Sequence, residues 1–93
     1  MLQFEWDKRK AASNFRKHGV TMDEAATVFA DPLAGTIYDP DHSTDEDRFI
    51  TIGTSRMHRI LSVCHTDRGD TIRIISARSA SSGERICYEK GIS

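Results

Sequence analysis

A chain of 93 residues, 38% hydrophobic and 29% charged with two prolines, has the length and make-up of one small folded domain, expected to span residues 1–93. That balance excludes a disordered tail and a collagen-like repeat, and no apolar run nears the roughly 18 residues of a membrane span. The net charge is only −1, but residues 21–50 hold eight acidic side chains against one basic, while residues 1–20 and 51–93 are each net +3. Nine of the thirteen cations are arginine, whose planar fork suits phosphate or carboxylate, so one basic face is expected.

The opening residues lack a basic stretch followed by an apolar one, so a cytoplasmic protein is expected rather than a secreted one. Two cysteines, Cys64 and Cys87, fit reduced thiols better than a disulfide framework.

In chain order, Phe4-Glu5-Trp6 alternates as an edge strand or a capping aromatic pair would. Asp7 is placed to cap a helix over 8–18, with Ala11 and Phe15 inward and Gly19 ending it. Thr21 and Glu24 have capping-box spacing for a second helix to about residue 30, its inner face Met22, Ala25, Ala26 and Phe29. Pro32 stops it, because the residue before a proline is pushed out of the helical region. The period then changes from helix to strand over 33–38, 48–53, 59–65 and 71–77, with short turns between the last three. That spacing predicts an antiparallel meander of about four strands, apolar on both faces and so partly covered on each. Ser81 and Glu84 form a second capping-box pattern, opening a short helix that Gly91 ends. The expected class is α+β, with two N-terminal helices, the meander and one C-terminal helix, and with Trp6, Phe15 and Phe29 in the core.

His18, His42, His58, His65 and the two cysteines show no metal-ligand spacing, and Cys64 and His65, adjacent on a strand, should face opposite sides. No metal or other cofactor is expected. The run from Asp39 to Asp47 has acidic residues at EF-hand offsets, but Thr44 stands where the loop needs glycine and Ile50 where it needs glutamate. It reads as a solvated loop. There is no glycine-rich phosphate loop and no nucleophile elbow. What remains is arginine, histidine and lysine on a small sheet. This is suitable material for cleaving a phosphodiester without a metal, which needs a base, an acid and fixed positive charge. Arg48, Arg59, Arg73 and Arg78 lie on or at the ends of strands, and His65 and His18 could move protons.

Phe4-Glu5-Trp6-Asp7, Lys10-Ala11, Asn14, Lys17-His18-Gly19-Val20, Glu24-Ala25, Phe29 and Asp31-Pro32 together resemble the opening of the BrnT toxin family. Arg48-Phe49, Ile52-Gly53, Ile74-Ile75-Ser76-Ala77-Arg78, Glu84-Arg85 and Tyr88 continue the likeness in order over nearly the whole chain. The resemblance implies a RelE-like fold and the toxin half of a type II toxin–antitoxin pair. It further implies a metal-independent endoribonuclease that blocks translation until an antitoxin covers it. That antitoxin would carry a ribbon-helix-helix DNA-binding domain, and the complex would repress its own promoter. The chain would therefore reach operator DNA only through its partner. Ser79, Ser82 and Gly83 depart from a pattern that is usually basic there, which implies a less cationic groove and weaker RNA binding.

Within that reading, Arg78 is first choice for holding the scissile phosphate, the alternative being a salt bridge to the acidic loop. Glu46 and Arg48, expected on one strand face, would serve as base and phosphate clamp or form an ordinary ion pair. His65 is a candidate acid, or else a buried structural histidine. Arg73, Arg59, Lys17, His18 and Arg85 are candidate RNA contacts, although Lys17 and His18 also suit the negative end of the first helix. A second class of function stands beside the enzyme: a non-catalytic module that only holds the antitoxin in a repressor complex. A DNA reader in its own right lacks a recognition helix.

Overall fold

The structure, a computed structural model, describes residues 2–91. Strand β1, Gln3–Glu5, leads into helices α1, Lys8–His18, and α2, Met22–Thr27, which continues as a 3-10 turn over Val28–Ala30. Strands β2 (Gly35–Tyr38), β3 (Phe49–Thr54), β4 (Ile60–Arg68) and β5 (Thr71–Ser79) follow, then helix α3, Ser82–Lys90. The sheet runs β1-β5-β4-β3-β2. The expected antiparallel meander is present, and β1 adds a fifth strand parallel to β5, so the sheet is mixed.

Local chemistry sets the helix ends. The Asp7 carboxylate accepts from the backbone N–H of Arg9 and Lys10, and Gly19 takes a left-handed conformation at φ 67°. Thr21 caps α2 by accepting from Glu24 N, and Ser81 with Glu84 closes a complete capping box on α3.

The core lies between α1, α2 and one face of the sheet. Val20, Met22, Ala25 and Val28 pack on Leu61, Val63, Ile72, Ile74 and Ala77, with Phe4, Trp6 and Phe29 at the margin. A buried side chain of this size contributes about 1.5–3 kcal/mol over leaving it in water. Gly53 marks the closest approach of turn and sheet. A Cβ there would stand 2.8 Å from a Val28 methyl and 2.9 Å from Ala34.

Phe15 is not in this core. It is 53% exposed, because Asn14 takes the inward position one turn after Ala11. Strand β1 pairs only with residues 71–73 of β5, leaving the later edge of β5 without a strand neighbour. Asn14 fills that gap. Its Oδ1 accepts from Ala77 N at 3.0 Å, and its Nδ2 donates to Ala77 O at 2.8 Å and to Val20 O at 3.0 Å. Both backbone groups of Ala77 are thereby satisfied, which burial requires.

On the other face, α3 buries none of its residues and is held at two points. Tyr88 donates to Asp31 Oδ2 at 2.5 Å and contacts Thr54 Oγ1 at 2.9 Å, while Glu84 reaches Arg78. The rest of that face is open.

Candidate functional site

The open face contains a cavity of about 220 Å³ lined by Asp39, His42, Arg48, Ile50, Ser62, Cys64, Ile75, Ser76 and Arg78. A β-bulge shapes its floor. Cys64 pairs with Ser76 but His65 pairs with Ile74, so Ile75 is an extra residue on β5. Ile75 and Ser76 consequently both line the cavity instead of alternating across the sheet.

The segment from Asp39 to Arg48 forms the cavity wall and is closed at its neck. Asp39 N donates to Arg48 O at 2.9 Å. Ser43 Oγ donates to Asp39 O at 2.6 Å and accepts from Arg48 N at 2.9 Å. A single 3-10 turn, Pro40–His42, brings His42 Nδ1 within 2.8 Å of Asp39 Oδ2. Arg48, at the other foot of this loop, has its Nε buried without a hydrogen-bond partner among the described residues. The nearest carboxylate, Glu46, stands 3.6 Å from it, and Glu46 is the same distance from Arg68.

Arg78 enters the cavity from β5 opposite Ser62. Its guanidinium forks onto Glu84 of α3, with Nη1 to Oε1 at 2.7 Å and Nη2 to Oε2 at 3.0 Å. Burial pushes the Glu84 carboxyl up, but hydrogen bonds from Arg78 and Ser81 outweigh it and hold the group below its ordinary value. Arg78 therefore pairs with the C-terminal helix and not with the acidic loop. The Cys64 thiol is pushed up by burial, which disfavours a nucleophilic thiolate.

A second cavity of about 170 Å³ adjoins the first, sharing Ile75 and Ser76, and is lined by Lys10, Ser13, Asn14, Lys17 and His18. Cations of the sheet line the first cavity and cations of α1 the second, and the two meet at Ile75 and Ser76 of β5.

The structure does not bring the other expected residues here. Glu46 and Arg48 precede β3 rather than sharing a strand face, and Glu46 is not part of the cavity wall. His65 is on the helix-covered face and 2% exposed. Its Nδ1 donates to Asp67 Oδ1 at 2.7 Å, its Nε2 accepts from Thr51 Oγ1 at 2.7 Å, and it packs on Phe29 and Phe49. Burial lowers its pKa despite Asp67, so it is a neutral core histidine, and the role of acid in this groove is corrected. Arg59 is likewise structural. It forks onto Glu24, which is 1% exposed, and donates to Gly19 O at 3.1 Å. Arg73 pairs with Glu5 on β1 at 2.5 Å, and Arg85 lies on the exposed surface of α3.

The roles of two residues are not legible in the sequence: Asn14 enters it only as part of the family resemblance, and His42 lies in a loop that reads as solvated. The signal for the second was Asp-Pro-Asp-His, where proline favours one tight turn and brings the first and fourth residues together.

Over residues 6–84 the chain matches the family described as "Ribonuclease toxin, BrnT, of type II toxin-antitoxin system". The 1.1 Å crystal structure of the Brucella abortus ribonuclease toxin BrnT is similar, with a TM-score of 0.63 and 26% identity. The match covers 88% of this chain and 100% of that one. No curated protein matches.

Proposed function

The chain belongs to the BrnT family of ribonuclease toxins of type II toxin–antitoxin systems, and we propose that it cleaves RNA, without a metal ion, in the groove between Arg48 and Arg78. One observation carries this reading: Arg48 and Arg78 line the same cavity, and Arg48 Nε is a buried donor with no hydrogen-bond partner among the described residues. Buried donors are rarely left unpaired, and a phosphate oxygen is the acceptor that two guanidinium groups lining one cavity suit best. Their fixed charge would stabilise the phosphorane that develops as the 2′-oxygen attacks, which is the task a metal would otherwise perform.

On this reading Glu46 keeps Arg48 oriented and is not the base, and the RNA backbone continues past the β5 bulge toward Lys10, Lys17 and His18. Arg73, Arg59 and Arg85 contribute less, since the first two are committed to glutamates and the third lies on the surface of α3. The RelE-like classification, the ribbon-helix-helix antitoxin and co-repression through operator DNA rest on the family resemblance, and the cytoplasmic setting on the opening residues and the two cysteines.

The Glu84 fork on Arg78 favours a second reading, a module that binds its antitoxin without cleaving, because the phosphate-binding arginine is already occupied. Induced expression of the chain alone separates the two. The enzyme arrests growth, is rescued by its antitoxin, and leaves 2′,3′-cyclic phosphate ends on RNA in excess EDTA. Normal growth at full soluble expression would establish the binding module. Loss of cleavage on chelation, restored by Mg²⁺, would overturn the metal-free mechanism.

A further inference from the structure

We propose that His42, oriented by Asp39, is the general base that takes the 2′-hydroxyl proton in the Arg48–Arg78 groove, an inference that rests on the cleavage reading above. Four observations converge on this residue. His42 and Asp39 both line the cavity that holds the two arginines. The His42 Nδ1–H donates to Asp39 Oδ2 at 2.8 Å, and since a carboxylate only accepts, the neutral ring has its lone pair on Nε2. That nitrogen has no hydrogen-bond partner among the described residues, on a side chain 66% exposed where Asp39 is 12% exposed. The loop is tied at its neck through Asp39, Ser43 and Arg48, so the histidine and the arginine belong to one hydrogen-bonded element.

This is the arrangement in which a carboxylate, here a partly buried one, fixes the imidazole tautomer and stabilises the imidazolium formed on proton transfer. His65 also has a carboxylate partner in Asp67, but its Nε2 is taken by Thr51 and its ring is buried, so neither nitrogen is left for a substrate.

The step balances as follows. His42 Nε2 takes the 2′-hydroxyl proton, the 2′-oxygen bonds to phosphorus, and the bond from phosphorus to the 5′-oxygen breaks. The leaving oxygen takes a proton from water in the open groove, and the hydroxide so formed takes the proton back from the His42 imidazolium, restoring the neutral ring. The products are a 2′,3′-cyclic phosphate and a 5′-hydroxyl. Asp39 touches no reacting atom and is a positioning residue.

The test uses the full chain with a labelled single-stranded RNA, following cleavage rate, RNA affinity and thermal unfolding together. His42→Gln keeps a donor for Asp39 but removes the base. It is expected to lower kcat by about 10²–10⁴-fold while RNA affinity and Tm stay near wild type. Added imidazole should restore part of the rate in His42→Ala. Asp39→Asn should lower kcat by less than His42→Gln, with KM little changed. An RNA with sulfur as the 5′ leaving atom, which departs without a proton, should remain slow with His42→Gln. Recovery to the wild-type rate on that substrate would make His42 the acid and overturn the proposal. Wild-type cleavage by His42→Gln, with Arg48→Ala inactive, would overturn the proposal and leave the groove standing. Full activity in Arg48→Ala, or no cleavage by the wild-type chain, would remove the groove reading and His42 with it.

Discussion

Two arginine–glutamate forks hold this molecule, one on each face of the sheet, and in both the glutamate is the third residue of a helix opened by Thr or Ser. In α2, Glu24 does not return to its cap. Its carboxylate accepts from both arms of Arg59 and from Ser55 Oγ at 2.7 Å, and it is almost wholly buried. In α3, Glu84 does return, accepting from Ser81 N at 2.8 Å, and it holds an arginine 44% open to solvent. The same pairing of guanidinium and carboxylate, through Nε and Nη2 in Arg59 and through Nη1 and Nη2 in Arg78, thus has different consequences. A buried pair cannot lose one member without leaving a charge stranded, whereas water and competing anions can replace a half-exposed partner at small cost. The first fork pins the α1–α2 junction to the start of β4. The second leaves an arginine that a phosphate can claim.

Breaking the buried fork should have the largest effect. Arg59→Ala strands the Glu24 carboxylate, and about 3 kcal/mol of stability should be lost, the lower end for a broken buried pair because Arg59 itself is partly wetted. In a domain this size that is roughly 12–24 °C in Tm. A loss no larger than that of Arg78→Ala, measured by thermal unfolding, would erase the distinction between the forks.

Breaking the open fork should instead be felt in chemistry. Arg78→Ala is expected to remain folded, with at most about 1 kcal/mol lost, yet to cleave RNA roughly 10²–10³-fold more slowly. Arg78→Lys should nearly retain RNA affinity and still lose turnover, because a point charge cannot replace a planar fork. If Arg78→Ala melts far below wild type while its folded fraction cleaves normally, Arg78 is only a structural residue.

Glu84→Gln sharpens the comparison from the other side. Glutamine still serves a capping box, so Tm should change little, while RNA affinity should rise by up to about tenfold as Arg78 is released. Unchanged affinity, read by fluorescence anisotropy, would show that Glu84 does not compete with phosphate.

The smallest effect concerns pH. The Arg59 hydrogen bond holds Glu24 below its ordinary 4.5, so the stability it contributes is complete above that value and is lost as pH falls through the lower folded one. Burial holds His65 below its ordinary 6.5, so its contribution is likewise complete above 6.5 and erodes as pH falls toward the folded value. Tm should decline gently from about pH 6.5, more steeply below 4.5. His65→Gln should remove the first decline and leave the second, and persistence of both would exclude His65 as its source.

Features governed by near neighbours were legible in the sequence: the Asp7, Thr21 and Ser81 caps, the Gly19 stop, the strand periods and the α+β order. So was the family, because its motifs run along the chain. What tertiary structure alone decided was the use of each group. Arg59 and Glu24 are 35 residues apart, Asn14 and Ala77 are 63 apart, and no local pattern pairs them. Phe15 looked like core by spacing, yet the open edge of β5 drew Asn14 inward in its place. His65 read as a candidate acid and His42 as part of a solvated loop, yet packing put the first among Phe29, Phe49 and Thr51 and the second in the lining of the groove. Caps and periods depend on atoms within one turn or one pleat, which the sequence specifies directly. Whether a charged or titratable side chain is spent on a buried partner or left for a ligand depends on which distant residue packing brings to it, and on how much water remains between them.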